Sequence, residues 1–340
     1  MKKILGTLVA LVTFALSVAY WVIMTNNIQP SLNGTSTHEL LIPTGATYQQ
    51  VLDSLTAKHI IRFPQTFEWV AKLMKYGDKI YPGRYLIPMT MSNRDLIAKL
   101  RIGQQDEVRY TINNIRTKEQ LVGWTAQKLE ADSTTLYKLL TDSTFLAQNK
   151  LTPNNVVAIF MNDTYQFNWN TNAEQFFDRM YKEYDKFWTN ERQKKAQKVG
   201  LSPHQAIALA AIVEEETAKT DEMNQIAALY LNRLKAQMPL QADPTVKFAV
   251  GDFALRRILK EHLTIDSPYN TYKNTGLPPG PIRIPSKVAI DAVLNPAEHN
   301  YLFMCAKEDL SGYHNFAVTY EEHLINAHKY QDELDRRNIK

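Results

Sequence analysis

The chain has 340 residues, which is enough for two domains or for one large domain with an extension. Lysine and arginine number 39 against 35 aspartate and glutamate residues, and so small an excess of positive charge gives no indication of a nucleic-acid partner. The single cysteine, Cys305, excludes an internal disulfide framework. Its apolar neighbours predict a buried strand residue rather than a nucleophile.

The N-terminus carries a membrane signal. Lys2 and Lys3 precede an uncharged apolar run from Ile4 to Met24, which is long enough to cross a bilayer as a helix. Positive charge before the run predicts a cytoplasmic N-terminus, with the bulk of the chain on the outer, periplasmic side of the cytoplasmic membrane. A cleaved signal peptide ending near Ala19 is the alternative. Because the apolar run continues beyond that site, we predict a single-pass anchor over residues 1–27.

Residues 28–107 are predicted to form a tether followed by a small βααβ unit. Strands are expected at Glu39–Pro43 and Gly83–Pro88, and the helices between them start near Thr47 and before Phe67. This order of elements is similar to that of a carbohydrate-binding LysM module. The alternative is a packing or spacer unit without a ligand.

Residues 108–198 are predicted to form a connecting α/β region, which starts with a strand at Val108–Ile112. It ends in a single long amphipathic helix over Ala173–Lys198, whose aromatic stripe is typical of a protein core. The remaining residues, 199–340, contain the segments that indicate chemistry.

The helix that follows Ser202 is apolar almost all the way round and then ends in three carboxylates. Successive helical residues turn by about 100°, so the three side chains must enter different environments. The side chains of Glu216 and Glu214 each lie on an apolar face of the helix, whereas Glu215 is expected to be exposed to solvent. A carboxylate on an apolar stripe has a raised pKa, as a general acid requires. Periodicity alone does not choose between Glu214 and Glu216, and a helix that simply ends in solvated charge is the alternative.

Two polar and proline-rich segments, Ser267–Tyr272 and Gly276–Pro285, lie further along. The second has four prolines and two glycines in ten residues, which predicts a stiff, extended loop. Tyrosine faces and amide groups beside such a loop suit a groove for a sugar chain. A structural crossover loop is the alternative.

Other classes of site lack their motifs. The spacing of His314, His323 and His328 does not place them on one helical face, and the sequence has no His-Glu-x-x-His motif. It also has no Gly-x-Ser-x-Gly elbow and no phosphate-binding loop. We therefore expect no metal ion and no cofactor.

A set of ordered motifs carries a family resemblance. They are Ile212–Thr217 (Ile-Val-Glu-Glu-Glu-Thr), Leu231–Leu234, Leu240–Val246 (Leu-Gln-Ala-Asp-Pro-Thr-Val), Tyr269–Tyr272, Gly276–Gly280 and His314–Phe316. Taken together, they resemble the MltG (YceG-like) family of membrane-anchored endolytic murein transglycosylases, over nearly the whole chain. The chain departs from the family pattern at Val157–Tyr165, where glutamate, glycine and proline are replaced, which weakens any glycan contact inferred for that edge.

The resemblance implies roles for individual residues. Glu216 is implied as the catalytic acid, with Glu214 supporting the site. Lining or substrate-binding roles are implied for Gln241, Asp243, Thr245, Tyr269, Asn270, Thr271, Tyr272, Gly276, Pro279 and His314.

The implied fold is α+β: a transmembrane helix, a LysM-like βααβ subdomain, and a mixed α/β catalytic domain over residues 199–340 with its glutamate on a helix. The implied reaction cleaves the bond between N-acetylmuramic acid and N-acetylglucosamine in nascent strands. It leaves 1,6-anhydro ends and terminates glycan elongation, beside the peptidoglycan synthesis machinery. Two alternatives remain: a hydrolytic muramidase with Asp243 as second carboxylate, and a non-catalytic, membrane-tethered glycan-binding scaffold.

Overall fold

A computed structural model describes residues 2–31, 34–255, 257–337 and 339. The chain is a mixed α/β protein with an apolar N-terminal helix. It divides into two compact units. Unit 1 comprises Met1–Tyr110, Ala126–Ala131 and Tyr165–Asn172, and unit 2 comprises Thr111–Thr125, Asp132–Thr164 and Ala173–Lys340. The boundaries predicted from the sequence are not tested by this division, and they stay a prediction.

The first helix, α1 (Lys2–Met24), has 23 residues and confirms the predicted apolar helix. At 1.5 Å per residue it is about 34 Å long, comparable with the hydrocarbon core of a bilayer. Within the described residues it is the one helix long and apolar enough to cross a membrane. Its last turn is not free, since Val22 and Ile23 pack against the core of unit 1.

The predicted order of strand, helix, helix and strand is confirmed in unit 1. Its elements are β1 (Thr37–Ile42), α2 (Tyr48–Ala57), α3 (Pro64–Leu73), β2 (Gly83–Pro88) and α4 (Asn93–Ile102). β1 and β2 pair antiparallel, with Thr37 opposite Pro88. Thr47 begins α2 as a capping box with Gln50, because each satisfies a free backbone donor of the other. The likeness to a LysM module stays a prediction.

Short elements connect this region to the rest of the chain. They are β3 (Val108–Thr111), α5 (Lys118–Lys128), α6 (Ser133–Leu139), α7 (Ser143–Gln148) and β4 (Thr164–Phe167), and β3 pairs with β4. The single helix predicted over Ala173–Lys198 is wrong. Two helices, α8 (Ala173–Phe187) and α9 (Asn190–Lys198), occupy this stretch. Thr189 is extended there and its side chain caps α9, which ends one helix and starts the next.

The last helices of unit 2 surround one buried helix, α10 (Pro203–Glu216). The later elements are α11 (Met223–Lys235), α12 (Asp243–Val250), α13 (Lys287–Leu294), β5 (Phe303–Ala306), β6 (His314–Ala317) and α14 (Tyr320–Arg336). Residues 206–213 of α10 are all buried, and α10 packs against α9, α11, α12 and α13. Four alanines in that stretch let neighbouring helices approach closely. β5 and β6 form an antiparallel hairpin beside α14.

Candidate active site

The three carboxylates at the end of α10 enter three environments, as the 100° turn per residue requires. Glu214 is directed at the start of α13. It accepts hydrogen bonds from the backbone N–H of Ser286 at 3.1 and 3.3 Å, and Ser286 is the N-cap of that helix. The Nε atom of Arg283 lies 3.3 Å from Glu214 Oε2. Glu214 therefore fastens the end of α10 to the beginning of α13.

Glu215 is not exposed to solvent, and the prediction that it would be is wrong. Its side chain is only 14% exposed, and Oε1 lies 2.6 Å from nitrogens of both Arg116 and Arg283. Burial alone would raise the pKa of Glu215, but the two arginines outweigh it and hold the pKa below its usual value. Sequence periodicity missed this because both partners come from segments far from α10 in the chain.

Glu216 is the carboxyl group whose pKa is raised, whereas every other resolved shift of a carboxyl pKa among the described residues is downward. Burial raises its pKa to about 7, and the nearby charge of Asp243 adds to the effect. The hydroxyl of Tyr230, on α11, donates a 2.6 Å hydrogen bond to Oε1 and acts in the opposite direction, as do His314 and Arg233. Part of the side chain stays accessible. Among the residues that the structure describes, Tyr230 is its one hydrogen-bond partner.

Two cavities meet at Glu216 and Asp243. The wide cavity, of about 440 Å³, is lined by Glu215, Glu216, Asp243, Pro244, Lys247, Leu255, Arg257 and Ile258. The narrow cavity, of about 230 Å³, is lined among others by Glu216, Tyr230, Arg233, Gln241, Asp243, Tyr272, Cys305 and His314. A chain-like ligand that passed over Glu216 would have room on both sides of its carboxyl group.

The start of α12 and the loop before it supply polar groups to the two cavities. Asp243 is exposed and accepts a 2.6 Å hydrogen bond from the hydroxyl of Tyr272. Gln241 is also exposed, and its Oε1 accepts a 3.3 Å hydrogen bond from Arg233. Gln241 adopts a left-handed conformation with φ of 53°, which turns the chain sharply into α12. These contacts place three of the predicted lining residues, Gln241, Asp243 and Tyr272, beside Glu216.

Three other predicted residues lie behind the surface of the cleft. Thr245, Asn270 and Thr271 are buried. The hydroxyl groups of Thr245 and Thr271 are 2.8 Å apart, and Thr271 also accepts a hydrogen bond from the backbone N–H of Ala242. Asn270 donates to two backbone carbonyls of its own loop. Their polar groups are engaged within the protein, so their position supports the loops that present Asp243 and Tyr272.

His314 reaches the narrow cavity from the start of β6. Its Nδ1 lies 2.8 Å from Oε2 of Glu222, and its backbone N–H donates to Oε1 of the same carboxylate at 2.7 Å. Glu222 is buried, with 4% of its surface exposed. This two-point contact orients the imidazole ring toward the cavity that Glu216 also lines.

The remaining predicted residues lie elsewhere. Gly276 and Pro279 line a third cavity of about 620 Å³ together with Ser202, His204 and Gln205 at the beginning of α10. That end is roughly 18 Å from Glu216 along the helix axis. Tyr269 packs against Phe248, with ring centroids 4.7 Å apart, and lines neither cavity at Glu216.

Cys305 lies in β5, as predicted, but it is partly exposed and lines the narrow cavity, so the prediction of burial is wrong. Desolvation and Glu308 raise the pKa of its thiol, which therefore stays protonated and unreactive. The described residues contain no group of three or more histidine, cysteine, aspartate or glutamate side chains placed to hold a metal ion.

Sequence reasoning missed three site residues: Tyr230, Arg233 and Glu222. Tyr230 and Arg233 are three residues apart on α11 and therefore share a face. Arg233 is buried and donates to the backbone carbonyls of Leu302 and Leu240. The position of Arg233 on the apolar face of a predicted helix could have indicated it, because an arginine is rarely buried without partners. Nothing in the sequence links Glu222 to His314 across 92 residues.

Comparison with known proteins gives the relatives of this chain. Residues 40–329 match the YceG-like family. An endolytic murein transglycosylase of Bacillus subtilis is 31% identical over 312 residues, which cover 87% of this chain and 85% of that protein. Another, from Streptococcus pneumoniae, is 28% identical over 322 residues, which cover 84% of this chain and 57% of that protein.

A solved structure is similar as well. The crystal structure of a yceG-like protein from Listeria monocytogenes is 27% identical in sequence, with a TM-score of 0.57, and the match covers 85% of this chain and 98% of that one. Since the family match extends over most of the 340 residues, the protein belongs to the YceG-like family.

Proposed function

We propose that this protein is an endolytic murein transglycosylase, a lytic enzyme of peptidoglycan, and that Glu216 is its catalytic acid and base. The observation that carries the assignment is the pKa of Glu216, which burial raises to about 7 at the junction of two open cavities. The relatives named endolytic murein transglycosylase support the substrate class. A carboxyl group with this pKa is protonated often enough at neutral pH to donate, and its anion is basic enough to accept.

The reaction needs one carboxyl group in two states. Protonated Glu216 donates its proton to the oxygen that joins C1 of N-acetylmuramic acid to N-acetylglucosamine, and the C1–O bond breaks. The resulting carboxylate then takes the proton of the muramyl C6 hydroxyl while O6 bonds to C1. The products are a 1,6-anhydromuramyl end and a free glucosaminyl 4-hydroxyl, and no water is consumed. Because O6 belongs to the reacting sugar, ring closure gains from proximity.

Neighbouring groups prepare Glu216 for this cycle. Tyr230 holds Oε1 by a 2.6 Å hydrogen bond and so leaves Oε2 to exchange the proton. Asp243 lines both cavities, and Gln241, Tyr272 and His314 line the narrow one. All four can bond sugar hydroxyl and acetamido groups there. Glu214 supports the site indirectly, because its hydrogen bond with Ser286 holds α13 against the end of α10.

Hydrolysis is the second candidate, because Asp243 lines the same two cavities as Glu216. A hydrolase would use Asp243 to activate water or as a nucleophile. The hydroxyl of Tyr272 donates a 2.6 Å hydrogen bond to Oδ1 of Asp243. Because this oxygen is already engaged, a substrate-positioning role for the carboxylate is favoured over activation of water.

The decisive experiment is digestion of purified peptidoglycan by the full chain in detergent, with products read by mass spectrometry. Anhydromuramyl ends support the transglycosylase, whereas reducing muramyl ends would establish hydrolysis. Glu216→Gln keeps the shape of the side chain but has no proton to donate, and we expect cleavage to fall by at least about a thousandfold. Glu298→Gln, at an exposed glutamate, is the matched control and should cleave normally. Glycan binding without cleavage by the wild type would instead indicate a scaffold.

The setting of the reaction belongs to the same proposal. The apolar α1 anchors the chain in the cytoplasmic membrane, with the catalytic domain over residues 199–340 on the outer side. There the enzyme meets nascent strands beside the synthesis machinery, cuts them and ends their elongation. The βααβ unit within residues 28–107 would bind glycan if it acts as a LysM module.

A further inference from the structure

The wide cavity carries two cationic side chains that the proposed reaction does not use, Lys247 and Arg257. Lys247 lies on α12, four residues after Asp243, and Arg257 is exposed in the loop that follows. Among the described residues neither cation has an ion-pair partner, although Asp243 and Lys247 stand at the helical spacing that favours a pair. Two unpaired positive charges therefore face one cavity.

The acidic groups of the same cavity do not cancel that charge. Glu215 is paired with Arg116 and Arg283. Asp243, which accepts a hydrogen bond from Tyr272, can offset only one of the two cations, and Glu216 is largely neutral below pH 7. The cavity thus presents Lys247 and Arg257 as charges available to an anionic ligand.

The narrow cavity, on the other side of Glu216, differs in both size and charge. Its volume is about 230 Å³, against about 440 Å³ for the wide cavity. Its arginine, Arg233, already donates hydrogen bonds within the protein. Its Nε donates to the backbone carbonyl of Leu302, and one terminal nitrogen donates to that of Leu240. The two sides of Glu216 are therefore suited to two unlike sugars.

The glycan of peptidoglycan has this asymmetry. N-Acetylmuramic acid differs from N-acetylglucosamine by a lactyl group on O3, which adds bulk and a carboxylate. The carboxylate is free in a glycan stripped of peptide. In a peptide-bearing strand it forms the amide bond to the stem, and the carboxylates of the stem lie further along the same arm. N-Acetylglucosamine has no acidic group.

We propose that the wide cavity is the subsite for the muramyl residue at the cleaved bond, and that Lys247 and Arg257 bind the carboxylate carried by its lactyl arm. This inference rests on the proposed transglycosylase function. It also sets the direction of the strand, since the muramyl side lies over the wide cavity and the glucosaminyl side over the narrow one. The site would thereby discriminate against chitin-like chains of N-acetylglucosamine alone.

The test compares three substrates with full-length wild type, Lys247→Gln and Arg257→Gln. The substrates are peptide-bearing strands, denuded strands with a free lactyl carboxylate, and denuded strands whose lactyl carboxylate has been converted to an amide. Each substitution should raise KM about tenfold on carboxylate-bearing strands, with little change in kcat. A tenfold rise in KM is the size expected for the loss of one charge-assisted hydrogen bond. On the amidated strand, wild type should already show the raised KM and the variants should add nothing.

Controls separate the possible failures. Lys260→Gln removes an exposed positive charge near Arg257 and should leave KM unchanged. Lys247→Arg keeps the charge and should stay within about twofold of wild type, which would exclude misfolding as the cause. A KM effect confined to peptide-bearing strands would show that the cations bind a carboxylate of the stem and would overturn the lactyl carboxylate as their ligand. Unchanged KM, or an equal rise on the amidated strand, would overturn the proposal, whereas a wild type that cleaves nothing would overturn the transglycosylase itself.

Discussion

At the scale of single residues, opposing effects set the pKa of Glu216. Burial and Asp243 favour the neutral carboxyl group, while the hydrogen bond from Tyr230 and the charges of His314 and Arg233 favour the carboxylate. The result, about 7, lets one group give and take a proton at neutral pH with little free-energy difference between its states. Glu215, one residue earlier, has its pKa lowered because arginines surround it.

Tyr230→Phe tests this balance. The tyrosine hydrogen bond stabilises the carboxylate, so its loss should raise the pKa of Glu216 above 7. An acid catalyst loses activity as pH rises through its pKa, and the alkaline limb of kcat/KM should therefore move to higher pH. The shift should be about half to one pH unit, equivalent to one hydrogen bond. A pH–rate profile on peptidoglycan measures it.

The matched control is Tyr76→Phe, which removes a buried hydroxyl that has no hydrogen-bond partner in the described structure and lies in unit 1. Its pH profile should be that of the wild type. A limb that moves to lower pH in Tyr230→Phe would show that the hydroxyl does not stabilise the carboxylate.

At the scale of elements, the end of α10 is held from several sides. Glu214 bonds the N-cap of α13, Glu215 joins the arginines before α5 and in the proline-rich loop, and Tyr230 joins Glu216 to α11. The last turn of a helix ordinarily frays, because its carbonyl groups lack partners. Here side-chain bonds tie that turn to separate segments, and the position of Glu216 is fixed as a consequence.

Glu215→Gln should weaken this assembly by about 2 kcal/mol, because two partly buried arginines lose their counter-charge. The figure is below that for a fully buried pair because the side chains stay partly exposed. The pH limit of activity should remain near 7, since Glu215 is not among the groups that set the pKa of Glu216. Thermal unfolding and the pH–rate profile measure the two effects, and a stability equal to that of wild type would contradict the structural role.

Gly280→Ala tests the proline-rich loop. A Cβ atom at Gly280 would overlap the backbone oxygen of Asn154, so the loop must shift and the protein should lose at least about 1 kcal/mol of stability. Gly123→Ala is the control, because Gly123 is exposed within α5 with open space around it. Alanine there should stabilise the protein by about 0.5–1 kcal/mol. If both variants melted above wild type, the close approach at Gly280 would be refuted.

At the scale of the whole molecule, the chain forms two compact units, and the first of them begins with the apolar helix α1. Most apolar side chains of α1 are exposed, and a surface of that kind is stable in lipid rather than in water. The two lysines that precede its apolar run favour a cytoplasmic N-terminus. This arrangement would confine the enzyme to glycan close to the membrane.

Removing residues 2–20 tests the proposed anchor. The full chain should fractionate with membranes and the shortened chain should not, while Val22 and Ile23 remain to cover the core of unit 1. Alkaline carbonate extraction of the full chain should leave it in the membrane pellet. Protease added to the outer face should digest the bulk of the chain. Release of the full chain by carbonate would contradict the anchor, and digestion only from the cytoplasmic face would contradict the orientation.

The local features were predictable from the amino-acid sequence: the apolar α1, the βααβ order, the capped and apolar α10, and three carboxylates directed to separate sides. These follow from periodicity, caps and composition, which act over a few residues. The folded chain was needed to show that Arg116 and Arg283 meet Glu215 and that Tyr230 bonds Glu216. It was also needed to show that Thr245 and Asn270 lie behind the cleft. Such contacts join residues far apart in the chain, and a pKa near 7 depends on their distances, which no local pattern contains.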